Sequence, residues 1–426
     1  MLAITVRAGE AMVVGTQARV VVIGGGVFGT STAYHLARKC GREILLLEAR
    51  EVGSQTSSQA AGLIRALRGS AVGAHMALYS IEAFERFREE IGHDIGVQQP
   101  GAYLVALSDE TAAQLRRWRA RAKRFNVTSH SISLDEAKAR FPLLQTRGLR
   151  SVVYEPRDLY LEPAEVAIGF AKGARALGVE VKERTPVQGI EVDAGKVIAV
   201  RTEHERITTS SVVLAGGAWG PRLAAQCRIF VPTIPVRHQL HITTPLAEVQ
   251  PSFPIVRFPE LAVYLRPAYG GLMVGGYEGN PTSYDPQTIG ADVDVRSLAL
   301  DRAILQRFTD SITRFFPILD RAAIAREQRG LPTMAPDGFP VLGRVPGVEA
   351  LLVASGDNVG GVSISPAVGH LLSELLLTGR SPFDLSRMAV DRFGHAYDDP
   401  QTLRRACEAR YAAHGRGYIE LVDDDE

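Results

Sequence analysis

The sequence predicts an α/β fold in which a domain on a largely parallel sheet is assembled from separated segments, with an α+β domain on an antiparallel sheet threaded between them. Three observations predict it. The β-branched run Val20-Val21-Val22-Ile23 enters the glycine series Gly24-Gly25-Gly26-Val27-Phe28-Gly29, and a helical stretch then leads to a second apolar run, Ile44-Leu45-Leu46-Leu47, ending at Glu48. Two later apolar runs, 212–214 and 351–354, also lead into glycines. The stretches between them alternate polar and apolar residues, as half-buried antiparallel strands do.

The first unit reads as a Rossmann-like βαβ. Gly24, Gly26 and Gly29 fit G-x-G-x-x-G, and residues 30–39 form the helix whose amide-rich N-terminus faces a pyrophosphate. Glu48 lies 19 residues beyond Gly29, where a carboxylate accepts hydrogen bonds from an adenosine ribose and repels a 2′-phosphate. Strand before, helix after and acid at the end of the next strand are the context this motif requires. FAD or NAD is therefore expected, and NADP is not.

Composition is compatible with such an enzyme and excludes several rivals. The chain has 426 residues, 46% hydrophobic and 22% charged, enough for about two or three domain-sized cores. A net charge of +1 gives no electrostatic reason for nucleic acid or an anionic membrane as partner. Cys40, Cys227 and Cys407 are widely spaced, without C-x-x-C, so neither a disulfide framework nor a zinc site is expected. No metal is expected, and a reducing cytoplasm fits best. Residues 1–17 carry one arginine and short apolar runs, too weak for a signal or transit peptide, and no stretch reads as a membrane span.

The elements follow in order. After the βαβ unit, Met76, Leu78, Ile81, Phe84, Phe87 and Ile91 approximate a helical stripe. A short strand is expected at 102–107, a charged helix at 110–123, and a helix at 135–141 stopped by Pro142. A helix opened by Glu162-Pro163-Ala164-Glu165 runs to Leu177 and closes at Gly178. An antiparallel meander is expected over 179–181, 187–192, 197–202 and 207–214, turning at Asp193-Ala194-Gly195. Near the C-terminus a strand at 351–354, a glycine-punctuated loop at 355–361 and a helix at 367–378, with Pro366 in its first turn, complete the sheet. Free amides at that helix start can stabilise negative charge on a reduced ring system.

Taken together, the motifs resemble the FAD-dependent D-amino-acid and amine oxidase family, especially its sarcosine oxidase, dimethylglycine dehydrogenase and glycine oxidase branch. They are GGGVFG with Glu48, TSSQAAGLIR from Thr56, VVLAGGAW from Val212, PVRHQLHIT from Pro235, VYLRPAYGGLMVGGYE from Val263, and APDGFPVLGRVPGVEALLVASGDNVGG from Ala335. The resemblance implies a glutathione-reductase-like FAD-binding domain at 18–97, 148–230 and 326–388. The substrate domain takes 98–147 and 231–325, leaving an extension at 1–17 and a tail at 389–426. It implies FAD contacts from Gly24, Gly26, Val27, Phe28, Gly29, Glu48 and Ala49, then from Ser57, Ser58, Gln59, Ala61, Gly62 and Leu63. Val187, Ala215, Gly216, Trp219 and Gly330 follow, with Gly356, Asn358, Val359, Gly360 and Gly361 from the C-terminal loop.

Four residues are expected to act on the substrate. Arg65 falls where the sarcosine oxidase branch carries a flavin-side arginine, with Arg68 one turn on. Tyr264 and Arg266 are two apart and share a strand face, a pairing able to grip a carboxylate. His241 is the expected base, with His238 as its alternative on the opposite strand face. The chain departs from the family where Gly330-Leu331 is followed by Pro332 rather than the substrate-gripping arginine of glycine oxidase-like members. Thr333-Met334 has no nearby cysteine, TSSQAA offers no histidine, and Ser363 stands where relatives place an oxygen-activating lysine, so noncovalent FAD is expected and the electron acceptor is left open. The expected reaction is oxidation of the C–N bond of a small secondary or N-methylated amine or amino acid to an imine, with oxygen or another acceptor reoxidising the flavin. Two alternatives stand beside it: a 2-hydroxy-acid or polyol-phosphate dehydrogenase, and a non-catalytic flavin-binding subunit. A homo-oligomer is compatible with either. In the last case the arginine-rich helix at 401–410 and the acidic end Asp423-Asp424-Asp425-Glu426 would be docking surfaces, although a solvated tail accounts for such charge as readily.

Overall fold

The computed structural model describes residues 16–41 and 43–415. The continuous apolar runs become a six-stranded sheet in the order Val341–Arg344, Leu351–Ser355, Ser211–Leu214, Val20–Ile23, Ile44–Leu47 and Glu180–Lys182. Five strands are parallel and the Val341–Arg344 edge is antiparallel. Strands buried on both faces need apolar residues at every position, and Val20–Ile23 and Ile44–Leu47 are buried throughout. The first helix, Val27–Cys40, packs against Gly361–Thr378 and Pro163–Ala176. It starts three residues earlier than expected because Gly26 serves as its N-cap.

A second sheet of eight strands runs Ile324–Gly330, His238–Thr243, Gly271–Gly276, Val263–Ala268, Ile255–Phe258, Ala102–Ala106, Ser151–Glu155 and His130–Ile132. All neighbours are antiparallel except Ile255–Phe258 beside Ala102–Ala106. The hairpin between Val263–Ala268 and Gly271–Gly276 turns on Tyr269 and Gly270, both at positive φ, the two-residue turn that matches strand twist. One face of this sheet, with Val256, Phe258, Leu265 and Val274, buries against Leu305, Phe308 and Ile312 of the helix Arg302–Thr313.

Three expectations change. Glu180–Lys182 does not join the meander; it pairs in parallel with Ile44–Leu47, leaving Val187–Asp193, Lys196–Thr202 and Arg206–Thr208 as a three-stranded unit. The expected strand at 207–214 divides, since Ser211–Leu214 crosses into the six-stranded sheet. The strands Ser151–Glu155 and Ile324–Gly330, expected within the dinucleotide-binding segments, run in the eight-stranded sheet, where Ser151–Glu155 pairs along its whole length with Ala102–Ala106. The C-terminal helix spans Pro400–His414 and docks Leu403, Cys407 and Tyr411 against the protein's own core. The acidic end and residues 1–15 lie outside the described residues. Among the described residues no helix is long and apolar enough to cross a membrane.

Candidate active site

Four parallel strands end at one edge: Val20–Ile23 at Gly24, Ile44–Leu47 at Glu48, Ser211–Leu214 at Ala215, and Leu351–Ser355 at the loop to Gly361. Ligands bind in open α/β sheets at that carboxyl edge. A cavity of about 600 Å3 lies there, walled also by His238, Arg257 and Tyr264 of the eight-stranded sheet.

The cavity's dinucleotide side is built from backbone. Gly24 sits at φ +109°, and a Cβ there would overlap the Ala215 carbonyl. The helix Val27–Cys40 carries no acidic residue in its first turn and no side-chain cap from Gly26, which leaves its positive end to a ligand. Val27 N donates to Ser57 Oγ at 3.1 Å, tying the 56–59 turn to that end. Glu48 accepts from Gly25 N at 2.6 Å and from Arg50 N at 2.7 Å. Burial raises its carboxyl pKa while these bonds oppose the rise. This arrangement, a glycine cradle and an uncapped helix start with an acid alongside, fits the pyrophosphate and ribose of FAD.

Most of the expected cofactor residues line the cavity: Gly24, Gly26, Val27, Phe28, Glu48, Ala49, Ser57, Gln59, Ala61, Gly62, Leu63, Val187, Ala215, Gly216, Trp219, Gly330, Val359, Gly360 and Gly361. Four do not. A Cβ on Gly29 would overlap the Gly24 carbonyl, so its part is close packing of helix on strand. Ser58 Oγ turns back to Gln55 O at 2.9 Å. Gly356, at φ +65°, donates to Thr333 Oγ1, and Asn358 Oδ1 accepts from Ala335 N. These last two residues shape the loop from behind.

Of the four expected substrate residues, Arg65 and Tyr264 wall the cavity, whereas Arg266 and His241 do not. Arg266 shares the strand face of Tyr264, as the alternation predicts, but its Nε donates to Ala61 O at 2.8 Å and its guanidinium stacks 4.6 Å from the Tyr160 ring. It braces the loop carrying Ala61. His241 lies on the helix side, with Nε2 3.0 Å from Thr309 Oγ1, because alternation directs its side chain away from the cavity. Its alternative, His238, occupies the wall. Its Nε2 is 2.9 Å from Tyr264 Oη and its Nδ1 2.8 Å from Tyr411 Oη. Burial lowers its pKa to about 4, so the imidazole is neutral near pH 7.

Several wall residues escaped the sequence reading. Arg257, directly across from Tyr264 in strand register, makes a fully buried ion pair with Asp158 at 2.6 Å. A lone charge in the apolar run Ile255-Val256-Arg257-Phe258 was its only signal. His414 and Tyr277 also face the cavity. Leu403, Cys407, Tyr411 and His414 fall on one helical stripe, which could have marked the last helix as docked. Arg68 donates to Ser363 Oγ on the wall, placing a guanidinium where relatives are expected to hold a lysine. Arg329 lies outside the cavity wall and donates to Arg296 O. Asp357 accepts from Thr333 N at 2.6 Å, and burial raises its pKa to about 6.

A dinucleotide cradle on a parallel sheet, roofed by a sheet that presents arginine, histidine and tyrosine, defines a dinucleotide-binding protein. The family profile described as FAD dependent oxidoreductase (DAO) matches residues 19–375, and the chain belongs to that family. Its cofactor is FAD. It is similar to mitochondrial sarcosine dehydrogenase of Homo sapiens, at 30% identity over 96% of this chain and 45% of that protein. It is likewise similar to the mitochondrial pyruvate dehydrogenase phosphatase regulatory subunit of Mus musculus, at 27% identity over 91% of this chain and 44% of that one. The chain thus spans a little under half the length of these relatives. Among solved structures, L-proline dehydrogenase from P. horikoshii superposes with a TM-score of 0.81 at 26% identity, covering 90% of this chain and 99% of that one.

Proposed function

We propose that this protein oxidises the C–N bond of a small secondary or N-methylated amine that carries a carboxylate, such as an N-methyl amino acid or proline, to an imine that water hydrolyses. The observation that carries this reading is the roof of the cavity: Arg65 and Arg257 beside the hydrogen-bonded pair Tyr264 and His238. FAD, when bound, supplies the acceptor for the two electrons and the hydrogen leaving the α-carbon. The chain's residues do the rest. Arg65 holds the carboxylate and so fixes the pose, with the positive field of Arg257 behind the wall. The substrate binds as the free amine, its proton left in solvent, and the Tyr264 hydroxyl, held by neutral His238, orients the nitrogen lone pair that the oxidation needs. The apolar and aromatic wall around them excludes bulk water. Oxygen or a separate acceptor regenerates the cofactor, and the three free cysteines suit a reducing, cytoplasmic setting.

Anaerobic mixing of the yellow protein with sarcosine, dimethylglycine, proline and D-amino acids tests this reading. Bleaching of the visible band by at least one amine is expected. Bleaching only by a 2-hydroxy acid or a polyol phosphate would replace it with C–O oxidation. A second reading, a flavin-binding regulatory subunit without turnover, is favoured by the similarity to a phosphatase regulatory subunit. Retained FAD with no bleaching by any compound in either group would select it.

A further inference from the structure

Behind the cavity wall, away from the cofactor cradle, sits a pair of buried carboxyls. Glu155 ends the strand Ser151–Glu155 and Asp158 follows three residues on; both are fully buried. Asp158 is fully engaged: Oδ1 accepts from Ala66 N at 2.9 Å and Oδ2 from Arg257 at 2.6 Å. Glu155 is not. Its Oε1 accepts from Trp118 Nε1 at 2.8 Å, but its Oε2 is buried with no hydrogen-bond partner. An ionised carboxylate buried this way is costly, whereas a carboxylic acid is tolerated. The charged groups acting on Glu155 are Asp158, Arg65 and Arg257; Arg65 reaches the cavity surface, and Arg257 lies in the wall with its side chain wholly buried. Arg65 lies 5.4 Å over the same Trp118 ring that holds Glu155. Burial first, and the like charge of Asp158 second, push the Glu155 carboxyl above the ordinary carboxylate range.

We propose that Glu155 is a positioning residue whose protonation sets how firmly Arg65, backed by the field of buried Arg257, holds a substrate carboxylate, so that carboxylate binding takes up a proton at Glu155. This rests on the reading that the cavity accepts a carboxylate-bearing substrate. The sign follows from linkage. An anion arriving at Arg65 adds negative charge to a wall already backed by two carboxyls, and it therefore favours the neutral form of Glu155. Protonated Glu155 leaves the arginines' field to the ligand, and ionised Glu155 competes for it. Affinity is thus highest below the Glu155 pKa and is lost as pH rises through it. His238 and His414 also face the cavity, but burial lowers both, so they are neutral across that range.

The test uses the FAD-loaded full chain and methoxyacetate, which has the shape of N-methylglycine and a carboxylate but no oxidisable amine. Its dissociation constant, read from the shift of the visible flavin band, is expected to rise by up to about tenfold per pH unit over part of the range from about pH 5 to about pH 9. In Glu155→Gln, which preserves the Trp118 hydrogen bond, the constant should stay at its low-pH value throughout. Calorimetry of the unaltered protein in buffers of different ionisation enthalpy should show proton uptake approaching one per ligand, a readout available even if the variant does not fold. A pH-independent constant in the parent, an undiminished rise in the variant, or no proton uptake overturns the proposal. If methoxyacetate does not bind at any pH, the carboxylate-binding reading fails and this inference with it. If it binds with the expected linkage but no amine bleaches the flavin, only the amine-oxidation reading fails.

Discussion

At the residue scale, the proposed chemistry rests on a hydrogen bond between two strands. Tyr264 and His238 come from strands separated in the sheet by Gly271–Gly276, and a Cβ on Gly275 would overlap the Tyr264 ring, so glycine opens the passage. Tyr264→Phe keeps the ring and loses the hydroxyl that orients the substrate nitrogen. The expected outcome is a fall of about 100-fold in the rate constant of flavin reduction with FAD content unchanged, measured by anaerobic single-turnover reduction. His238 also titrates against the fold. Its folded pKa of about 4 lies below the ordinary histidine value, so its contribution is present above about pH 6.5 and lost as pH falls toward 4. A glutamine at 238 has nothing to titrate, and the melting temperature of His238→Gln should drop less than the parent's between about pH 7 and about pH 5. Equal drops would count against the burial account. Arg65 and Tyr264 were legible because motif and alternation are local. Arg257 was not, because its meaning depends on Asp158, 99 residues away in the chain.

At the element scale, two helices define the floor of the site. Val27–Cys40 and Gly361–Thr378 each begin at the cavity and pack tightly together. Gly369 permits this approach, since a Cβ there would fall 2.6 Å from the Ser31 backbone carbonyl carbon. Gly369→Ala should therefore lower the melting temperature and weaken FAD retention together, because both helix starts move; absorbance ratio and thermal melting check it. Continuous apolar runs made the inner parallel strands readable in advance. The Glu180–Lys182 edge strand was misread because its alternation looks antiparallel, and only its partner, Ile44–Leu47, makes it parallel. His241 and His238 were correctly separated onto opposite faces, but which face meets the cavity depends on where the helix Arg302–Thr313 packs.

At the scale of the whole molecule, the cofactor cavity is bounded by both sheets, so FAD acts as a clamp between them. Removing it should lower the melting temperature, and adding it back should restore it in proportion to the logarithm of free FAD, as expected for a ligand bound only by the folded state. Acid precipitation should release the yellow colour to the supernatant, as the expected noncovalent attachment requires; colour retained in the pellet would show a covalent bond.

The order of strands also has a consequence for how a cell must make this protein. Leu351–Ser355 pairs with Ser211–Leu214, and Tyr411 reaches His238 only from the last helix. A nascent chain therefore carries Ser211–Leu214 as an open, wholly apolar-cored edge while more than a hundred residues are still to be translated, and such edges invite pairing with other chains. The cofactor cradle is completed, and His238 given its second neighbour, only after Leu351–Ser355 and the helix Pro400–His414 have been made. Yield in a foreign host should therefore be governed by chaperone supply and by translation speed between Ser211 and His414, rather than by the stability of the folded protein.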